Sequence, residues 1–416
     1  MKKGDWSVLE VIAIGNELIT GLIADSNLGR ISRRLSAVGV YLSRSCTVGD
    51  DADQITQALH EALARVDVVV LTGGLGPTHD DITKAVLVRF FGSKLVKNEI
   101  VEKNIENFFG SRGMAVPRMS LSQAEVPDNA TILHNEKGTA PGLLFKNGKQ
   151  RVYALPGVPL ELEYLVDKYI VPDLEPAGKG KVSHRILHTT GISESALWEQ
   201  IGPVAPLEAW VQMASLPSHL GVRLRLTARG LKDHSANLNY AEAYLRKKIG
   251  SHVVGVDQET LEELIGQILR DRHLTLSVAE SCTGGLISHR LTNIAGSSEY
   301  LLESAVPYSN LAKERRLGVP SSLIKNHGAV SREVALAMAE GMRKSSGSDY
   351  GLAVTGIAGP GGGSADKPVG LTYIAVADGE GSHCEKFIFH QDRVRNKERS
   401  AQAALNLLRL NLQKLK

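Results

Sequence analysis

Cysteine is scarce in this chain, which has only three in 416 residues. They stand far apart, at Cys46, Cys282 and Cys384. An odd, scattered set matches neither a disulfide framework nor the paired spacing of a zinc site. The sequence therefore indicates a protein of a reducing compartment without disulfides.

Long apolar runs and a strong charge of either sign are also missing. No segment reaches the roughly 18 apolar residues that a membrane-spanning helix needs. The first apolar run is broken at 15–17, so it does not resemble a signal peptide. The net charge is only +3, which does not point to a nucleic acid or an anionic membrane as a partner. We expect a cytoplasmic protein that does not bind membranes.

The chain does have enough apolar residues for large cores. With 43% hydrophobic residues over 416 positions, we expect two or three domains. Apolar runs at 8–14, 40–46 and 66–71 alternate with helical patterns at 28–35 and 50–64. This alternation predicts a parallel α/β sheet with helices on both faces. In such sheets, ligands bind beyond the carboxyl ends of the strands.

One of these strand ends continues into a glycine run and two carboxylates, at 72–81. Gly73, Gly74 and Gly76 would leave the backbone free to wrap an anion. Asp80 and Asp81 would repel a phosphate unless a divalent metal lay between them. A simpler alternative is that both aspartates cap the helix that starts at position 82.

Another strand end offers further oxygen ligands. Glu17 and Asp25 are predicted to complete the metal site with the two aspartates, and Asn16 and Asn27 to line the nucleotide site beside the glycines. Metal-assisted attack on a pyrophosphate fits this combination.

The middle of the chain is predicted to form a small separate unit. The segment 175–181 predicts a linker, and a strand-helix-strand-strand-helix order follows it. This order is α+β and resembles a KH module, and Arg223, Arg225 and Arg229 alternate along one strand. However, the unit lacks the Gly-x-x-Gly loop that clamps a nucleotide backbone in KH folds. We therefore expect these arginines to face solvent and do not expect nucleic acid as a partner.

The C-terminal region is organised around the stretch 279–285, between a predicted strand and a predicted helix. There, Ser281 would stand near free N–H groups and the positive end of the helix dipole. This geometry can cradle a phosphate or stabilise an oxyanion. The alternative is a small-residue turn in which Ser281 is a plain helix cap.

Ser281 needs a base to act as a nucleophile. No histidine of this region lies in a sequence motif that indicates a catalytic base. Lys313 is the better candidate, since a lysine made neutral by burial can accept a serine proton, and Tyr308 could relay or orient that proton. The competing interpretation is a surface lysine that opens a helix. Cys282 is a rival nucleophile, although a free cysteine is more often a small buried hydrophobe.

A second glycine-rich loop, at 355–364, could bind another anion. The alternative interpretation of this loop is a flexible hairpin or lid. Arg393 or Arg395 could bind a phosphate bidentately. The region therefore suits hydrolysis of an amide or ester in a phosphorylated small molecule.

Five motifs together resemble the CinA (competence/damage-inducible) family across nearly the whole chain: 72–81 (TGGLGPTHDD), 279–285 (AESCTGG), 308–310 (YSN), Lys313 and 355–360 (TGIAGP). The resemblance implies a MogA/MoaB-like N-terminal domain, similar to molybdopterin-binding proteins, a small KH-like domain and a C-terminal deamidase domain. It further implies hydrolysis of nicotinamide mononucleotide to nicotinic acid mononucleotide and ammonia, and a metal-dependent ADP-ribose pyrophosphatase activity in the N-terminal domain.

The same resemblance implies site roles. Ser281 would be the nucleophile and Lys313 its base, with Tyr308 beside them. The backbone amides of Cys282, Thr283 and Gly284 would bind the oxyanion, and the substrate pocket would add Thr355, Gly356 and Arg395.

We thus expect an α/β protein with a three-layer parallel-sheet domain at 1–174, a KH-like α+β domain at 175–256 and an α/β deamidase domain at 257–416. The deamidase would need no cofactor, whereas the pyrophosphatase would need a divalent metal. The expected partners are pyridine nucleotides and a second copy in a homodimer. The alternative function is a pterin-nucleotide binding protein with a regulatory, non-catalytic C-terminal domain.

Overall fold

The computed structural model describes residues 7–175, 182–229, 234–389 and 392–414. The chain forms two compact units, Met1–Ser183 with Arg229–His234 and His184–Ala228 with Ser235–Lys416. The predicted linker at 175–181 lies outside the described residues, apart from Glu175.

The first unit holds a six-stranded sheet with the order β2-β1-β3-β8-β7-β6 and a separate β4-β5 pair. Its strands are β1 (Val8–Ile14), β2 (Tyr41–Val48), β3 (Val68–Thr72), β4 (Leu95–Lys97), β5 (Glu125–Pro127), β6 (Thr131–Leu133), β7 (Gly142–Asn147) and β8 (Gln150–Leu155). Its helices are α1 (Asn16–Ile19), α2 (Asn27–Ala37), α3 (Ala52–Arg65), α4 (Thr83–Phe90), α5 (Glu99–Gly110), α6 (Arg118–Leu121), α7 (Pro159–Leu165) and α8 (Val171–Leu174). Strands β2, β1, β3 and β8 are parallel.

Alternate residues of β3 enter two different cores. Val68 and Val70 belong to the cluster that contains residues of α2 and α7. Val69 and Leu71 belong to the cluster that contains residues of α3 and α4. A strand that is apolar on both faces is typical of a parallel sheet covered by helices on both sides. The expected three-layer architecture is therefore confirmed.

Helix α5 was not predicted, although the sequence carries its start signals. The Asn98 side chain accepts hydrogen bonds from the amides of Ile100 and Val101, both at 3.1 Å. Glu99 and Glu102 add acidic side chains to the first turn. Both features favour a helix start.

The described residues between 182 and 256, nearly all of them in the second unit, form a KH-like α+β fold with a sheet of order β10-β11-β9-β12. Its elements are β9 (Val182–Thr189), α9 (Glu194–Ile201), α10 (Ala205–Glu208), β10 (Gln212–Ser218), β11 (Gly221–Arg229), α11 (His234–Ile249) and β12 (Val253–Val256). Arg223 and Arg225 are exposed, as expected, while Leu224 and Leu226 between them are buried. The Arg229 side chain lies outside the described part of the chain.

The C-terminal part has a five-stranded sheet with the order β14-β13-β15-β16-β17. Its strands are β13 (Leu276–Glu280), β14 (Leu301–Ala305), β15 (Tyr350–Gly356), β16 (Leu371–Ala377) and β17 (Ser382–Ile388). Its helices are α12 (Leu261–Asp271), α13 (Leu286–Thr292), α14 (Asn310–Leu317), α15 (Ser321–His327), α16 (Arg332–Ser346) and α17 (Arg393–Lys414). One core lies between the sheet and α12, α13 and α17, and another lies against α16.

Strands β13 and β15 are parallel neighbours, with Glu280 opposite Val354. Their carboxyl ends therefore meet at one edge of the sheet, which brings Ser281 beside Thr355. Among the described residues, no helix is both long and apolar enough to cross a membrane.

Candidate active site

Ser281 directly follows the last residue of β13. Its amide donates to the Val354 carbonyl at 3.0 Å, which extends the strand pairing by one step. The chain then turns through Gly284 and Gly285, whose φ angles are +63° and +95°. Only glycine adopts such angles readily, so these two residues permit the tight turn that leads into α13.

The carboxylate of Glu280 occupies the start of α13. It is fully buried and accepts from the amides of Gly285 at 3.0 Å, Ile287 at 3.1 Å and Ser288 at 2.8 Å, as well as from the Ser288 hydroxyl at 2.6 Å. The expectation that this helix start is free to bind a substrate anion was therefore wrong. A carboxylate of the protein already satisfies these donors and complements the helix dipole.

The three backbone amides expected to bind an oxyanion are not equivalent. The Gly284 amide donates to the Ser281 carbonyl at 3.2 Å. For the amides of Cys282 and Thr283, no oxygen acceptor is found within the described residues. Both amides face the Cys282 sulfur, a weak acceptor that a substrate oxygen could displace, whereas the amide of Gly284 is already bonded to an oxygen.

Lys313, in the first half of α14, lies against Ser281 in the protein interior. Only 1% of its surface is exposed, and its Nζ is 3.1 Å from Ser281 Oγ. Nζ also donates to the carbonyls of Pro307 at 3.0 Å and Tyr308 at 3.4 Å. Burial lowers the pKa of the Lys313 ammonium from its ordinary value, because the charged form is poorly solvated.

The two carbonyls orient this amine. A neutral lysine has two N–H groups and one lone pair. If Pro307 and Tyr308 take the two N–H groups, the lone pair points toward Ser281 Oγ. This arrangement suits a base that removes the serine proton.

Cys282 is a poor rival nucleophile. Burial raises the pKa of its thiol to about 12, and only 7% of the residue is exposed. The thiolate is the reactive form of cysteine, so the side chain remains a protonated, apolar wall at neutral pH.

A pocket of about 290 Å³ opens onto the Ser281–Lys313 pair. It is lined by Ser281, Cys282, Tyr308, Asn310, Lys313, Ala329, Val330, Thr355, Gly356, Ile357, Ala358, Gly359, Gly361, Gly362 and Arg393. Three residues predicted to bind substrate, Thr283, Gly284 and Arg395, are not in this lining. Thr283 is fully buried, and Thr355 donates its hydroxyl to the Ala329 carbonyl at 2.8 Å.

Tyr308 does not have the geometry of a proton relay. Its side chain is 60% exposed, and its hydroxyl accepts from Arg393 Nη2 at 3.2 Å. Only its backbone carbonyl contacts Lys313. The relay expected of this hydroxyl is therefore not supported, and Tyr308 forms part of the pocket wall.

Arg393, rather than Arg395, lines the pocket. Arg393 Nη1 donates to the Gly359 carbonyl at 2.5 Å, which ties the first turn of α17 to the glycine-rich loop. Arg395 pairs with Asp392 at 3.5 Å on an exposed surface. Residues two apart on a helix point in different directions, so only one of the two arginines can face the pocket. Asn396, which we did not predict, adds a buried bond to the Ala358 carbonyl at 3.0 Å.

The first unit contains a larger cleft, of about 590 Å³, at the carboxyl ends of its strands. Most of the predicted N-terminal site residues line it, namely Glu17, Asp25, Asn27, Gly73, Gly74, Gly76, Asp80 and Asp81. Asn16 is not in the lining, although Asp50 is. The two residues bond each other: the Asn16 backbone N–H donates to Asp50 Oδ2 at 2.9 Å, and the Asn16 side-chain Oδ1 accepts from the Asp50 backbone N–H at 3.3 Å.

The glycines of this cleft are explained by packing. A Cβ atom on Gly73 would lie 2.2 Å from the Ile14 carbonyl oxygen, and one on Gly74 would lie 2.2 Å from Thr83 Oγ1. The loop therefore needs glycine to pack on its neighbours, whether or not an anion binds.

The predicted metal ligands do not form a cluster. In the part of the chain that the structure describes, no group of three or more His, Cys, Asp or Glu side chains could hold an ion. Asp81 accepts from the amide and hydroxyl of Thr78, at 2.9 and 2.5 Å. Asp25 accepts from the amides of Asn27 and Leu28, at 2.8 and 3.1 Å. These carboxylates cap local backbone, so the residues do not fit a preassembled metal site, and we derive no step through a metal.

Three family models match successive parts of the chain. Residues 10–176 match a model described as "Probable molybdopterin binding domain". Residues 184–255 match the "Damage-inducible protein CinA KH domain", and residues 258–412 match the "CinA C-terminal domain".

Similar proteins extend over nearly the same length. A competence-damage inducible protein of Caldicellulosiruptor bescii is 41% identical, and the match covers 97% of this chain and 98% of that protein's length. A CinA-like protein of Chloroherpeton thalassium is 43% identical over 96% of this chain and 98% of its own. Among solved structures, the competence/damage inducible protein CihA of Agrobacterium tumefaciens is 42% identical, covers 37% of this chain and 95% of its own, and has a TM-score of 0.35.

Proposed function

This chain belongs to the CinA family, and on that premise we propose that its C-terminal domain is a nicotinamide-nucleotide amidase. It hydrolyses the carboxamide of nicotinamide mononucleotide to nicotinic acid mononucleotide and ammonia. The observation that carries the proposal is the buried contact of 3.1 Å between Lys313 Nζ and Ser281 Oγ.

In the first half of the reaction, Ser281 Oγ attacks the carboxamide carbon while neutral Lys313 takes the serine proton. The carbonyl oxygen becomes an oxyanion and accepts from the amides of Cys282 and Thr283, which stabilise the developing charge. The intermediate then collapses. Its C–N bond breaks, Lys313 returns the proton to the leaving nitrogen, and ammonia departs from a serine ester.

In the second half, water attacks the ester carbonyl and Lys313 takes its proton. The C–O bond to Ser281 breaks, the proton returns to Ser281 Oγ, and the carboxylic acid leaves. The two halves sum to amide plus water giving acid plus ammonia. Each step uses only groups of this chain, the substrate and water.

Recognition of a nucleotide is supported by Arg393. Its guanidinium lies in the same pocket as Ser281, and a guanidinium can bind a phosphate through two parallel hydrogen bonds. The substrate's phosphate would replace the Tyr308 hydroxyl as one partner of this side chain.

The test is ammonia release from nicotinamide mononucleotide by the wild type, Ser281→Ala and Lys313→Ala, with and without EDTA. We expect a wild type that is active in EDTA and two folded, inactive variants. Activity that survives in Ser281→Ala would remove the nucleophile assignment. A wild type that releases no ammonia would favour the alternative of a pterin-nucleotide binding protein with a non-catalytic C-terminal domain.

As a second candidate function, we propose that the N-terminal cleft binds a nucleotide or pterin phosphate. The match of residues 10–176 to a molybdopterin-binding model and the size of the cleft support binding. An ADP-ribose pyrophosphatase activity would need a metal brought in with the substrate. Release of AMP from ADP-ribose, with and without Mg²⁺, tests that activity.

A further inference from the structure

Tyr308 supplies an aromatic ring to the C-terminal pocket, and this ring is open to solvent. The residue is 60% exposed, and it lines the same pocket as Ser281 and Lys313. In the part of the chain that the structure describes, neither another ring nor a cation packs on its face. None of the other described residues that line the pocket is aromatic. A ligand in this pocket therefore meets one free aromatic face.

Tyr308 extends from the reacting pair to the arginine of the pocket. At its backbone, the carbonyl accepts from Lys313 Nζ at 3.4 Å. At the far end of its side chain, the hydroxyl accepts from Arg393 Nη2 at 3.2 Å. The ring thus lies between the proposed base and the group proposed to bind the phosphate. In nicotinamide mononucleotide, the pyridine ring likewise lies between the carboxamide and the phosphate.

The backbone that carries this ring is held on both sides. The carbonyl of Pro307, before Tyr308, accepts from Lys313 Nζ at 3.0 Å. Ser309, after it, caps α14, and its hydroxyl accepts from the Ala312 amide at 3.1 Å. These contacts fix the Cα of Tyr308, so its side chain starts from a defined position in the pocket wall.

The charges of the pocket leave the positive ring of the substrate without a carboxylate partner. Nicotinamide mononucleotide carries a pyridinium cation as well as a phosphate. Lys313 and Arg393 line the pocket, and no aspartate or glutamate is among the described residues of that lining. Arg393 can bind the phosphate, but neither basic side chain attracts a cation. The face of an aromatic ring does attract one, and Tyr308 offers such a face.

We propose that the ring of Tyr308 binds the pyridinium of the substrate, so that the pocket selects pyridinium nucleotides over nucleotides with an uncharged ring. The inference rests on the proposed amidase function and adds the charge of the ring to its substrate class. When the phosphate displaces the Tyr308 hydroxyl from Arg393, the tyrosine side chain is released and can lie against the substrate ring. Tyr308 then determines specificity and takes no part in proton transfer.

The experiment compares two ligands that differ in the charge of the ring. Nicotinamide mononucleotide has a pyridinium, whereas its reduced 1,4-dihydro form has an uncharged ring with the same carboxamide, ribose and phosphate. Their dissociation constants are measured by calorimetry with the full chain carrying Ser281→Ala, which removes the proposed nucleophile. The measurement is repeated after adding Tyr308→Leu, Tyr308→Phe or a control, Tyr240→Leu, at an exposed tyrosine of α11.

With Tyr308 in place, we expect the pyridinium form to bind about tenfold more tightly than the reduced form. Tyr308→Leu should weaken binding of the pyridinium form at least ~5-fold and binding of the reduced form less than about twofold. Tyr308→Phe keeps the ring and should keep the preference, and so should Tyr240→Leu.

An unchanged preference in Tyr308→Leu would overturn the inference. An equal loss of affinity for both forms would also overturn it, because it would show a contact with the shape of the ring and not with its charge. Loss of the preference in Tyr308→Phe would assign it to the hydroxyl instead of the ring. Ammonia release by the wild type separates the two proposals. If the wild type releases ammonia while the preference does not depend on Tyr308, only this inference fails. If it neither binds nor hydrolyses nicotinamide mononucleotide, the amidase function fails with it.

Discussion

The two sites of this chain differ in how far each is built before a ligand arrives. In the C-terminal pocket, Ser281 and Lys313 already touch, and the buried Glu280 has four hydrogen-bond donors around its carboxylate. In the N-terminal cleft, Gln123 and Asn27 have buried acceptors without partners, and no carboxylate cluster forms among the described residues. The first arrangement suits chemistry, which needs reacting groups held in advance. The second holds no such set of reacting groups in advance, so it suits binding more than chemistry.

The largest effect should come from removing the preassembled base. Lys313→Met keeps the length of the buried chain and removes the amine, so ammonia release should fall by at least ~10³-fold while the protein stays folded. The matched control is Lys325→Met, at an exposed lysine of α15, which should keep wild-type activity. A Lys313→Met enzyme within tenfold of the wild type would show that the pair is not catalytic.

A variant of Glu280 tests whether the geometry of the Ser281–Lys313 pair depends on a residue that does not contact the substrate. Glu280→Gln replaces one accepting oxygen by a donor that faces backbone N–H groups, which should cost about 1–3 kcal/mol. The turn that carries Ser281 would then shift, so we expect kcat to fall ~10–100-fold with little change in KM. Glu303→Gln, on the exposed face of the neighbouring strand β14, serves as the control. An equal loss of stability without a change in kcat would limit Glu280 to a structural role.

The sequence was informative about the reacting pair and less so about its surroundings. Ser281 follows a short apolar strand and Lys313 follows a turn, so both could be proposed from local pattern and family resemblance. Glu280 was missed because it stands at the end of an apolar strand, where a fully buried carboxylate is rare. Its partners are backbone amides, which leave no trace in side-chain types. The choice between Arg393 and Arg395 depends on how α17 rotates against the sheet, which only long-range packing decides.

The pH dependence should follow the protonation of Lys313. Burial lowers the pKa of this ammonium, and the charged form cannot accept a proton. As pH rises toward this lowered pKa, kcat/KM should increase about tenfold per pH unit and then level off. The bend should lie below the ordinary pKa of lysine. A kcat/KM that does not change with pH below the ordinary pKa of lysine would contradict a buried neutral base. A bend at the ordinary pKa of lysine would contradict it as well.

Substitution of the two arginines of α17 should give the smallest effects. Comparing the two variants shows which arginine belongs to the pocket. Arg393→Ala should raise KM for nicotinamide mononucleotide about tenfold, because Arg393 is exposed and its charge-assisted pair with a phosphate should be worth the low end of a range of roughly 1.5–3 kcal/mol. Arg395→Ala should change KM less than twofold, since this side chain pairs with Asp392 on the surface. A larger rise in KM for Arg395→Ala than for Arg393→Ala would indicate that Arg395 binds the phosphate, as the family resemblance implied.

The central claim is that Ser281 becomes covalently acylated. The most direct measurement is intact-protein and peptide mass spectrometry after rapid acid quench of wild-type enzyme mixed with nicotinamide mononucleotide. We predict an added mass equal to the nucleotide minus ammonia, located on the peptide that contains Ser281 and absent from Ser281→Ala. The adduct on Cys282, or steady ammonia release in Ser281→Ala, would contradict the account.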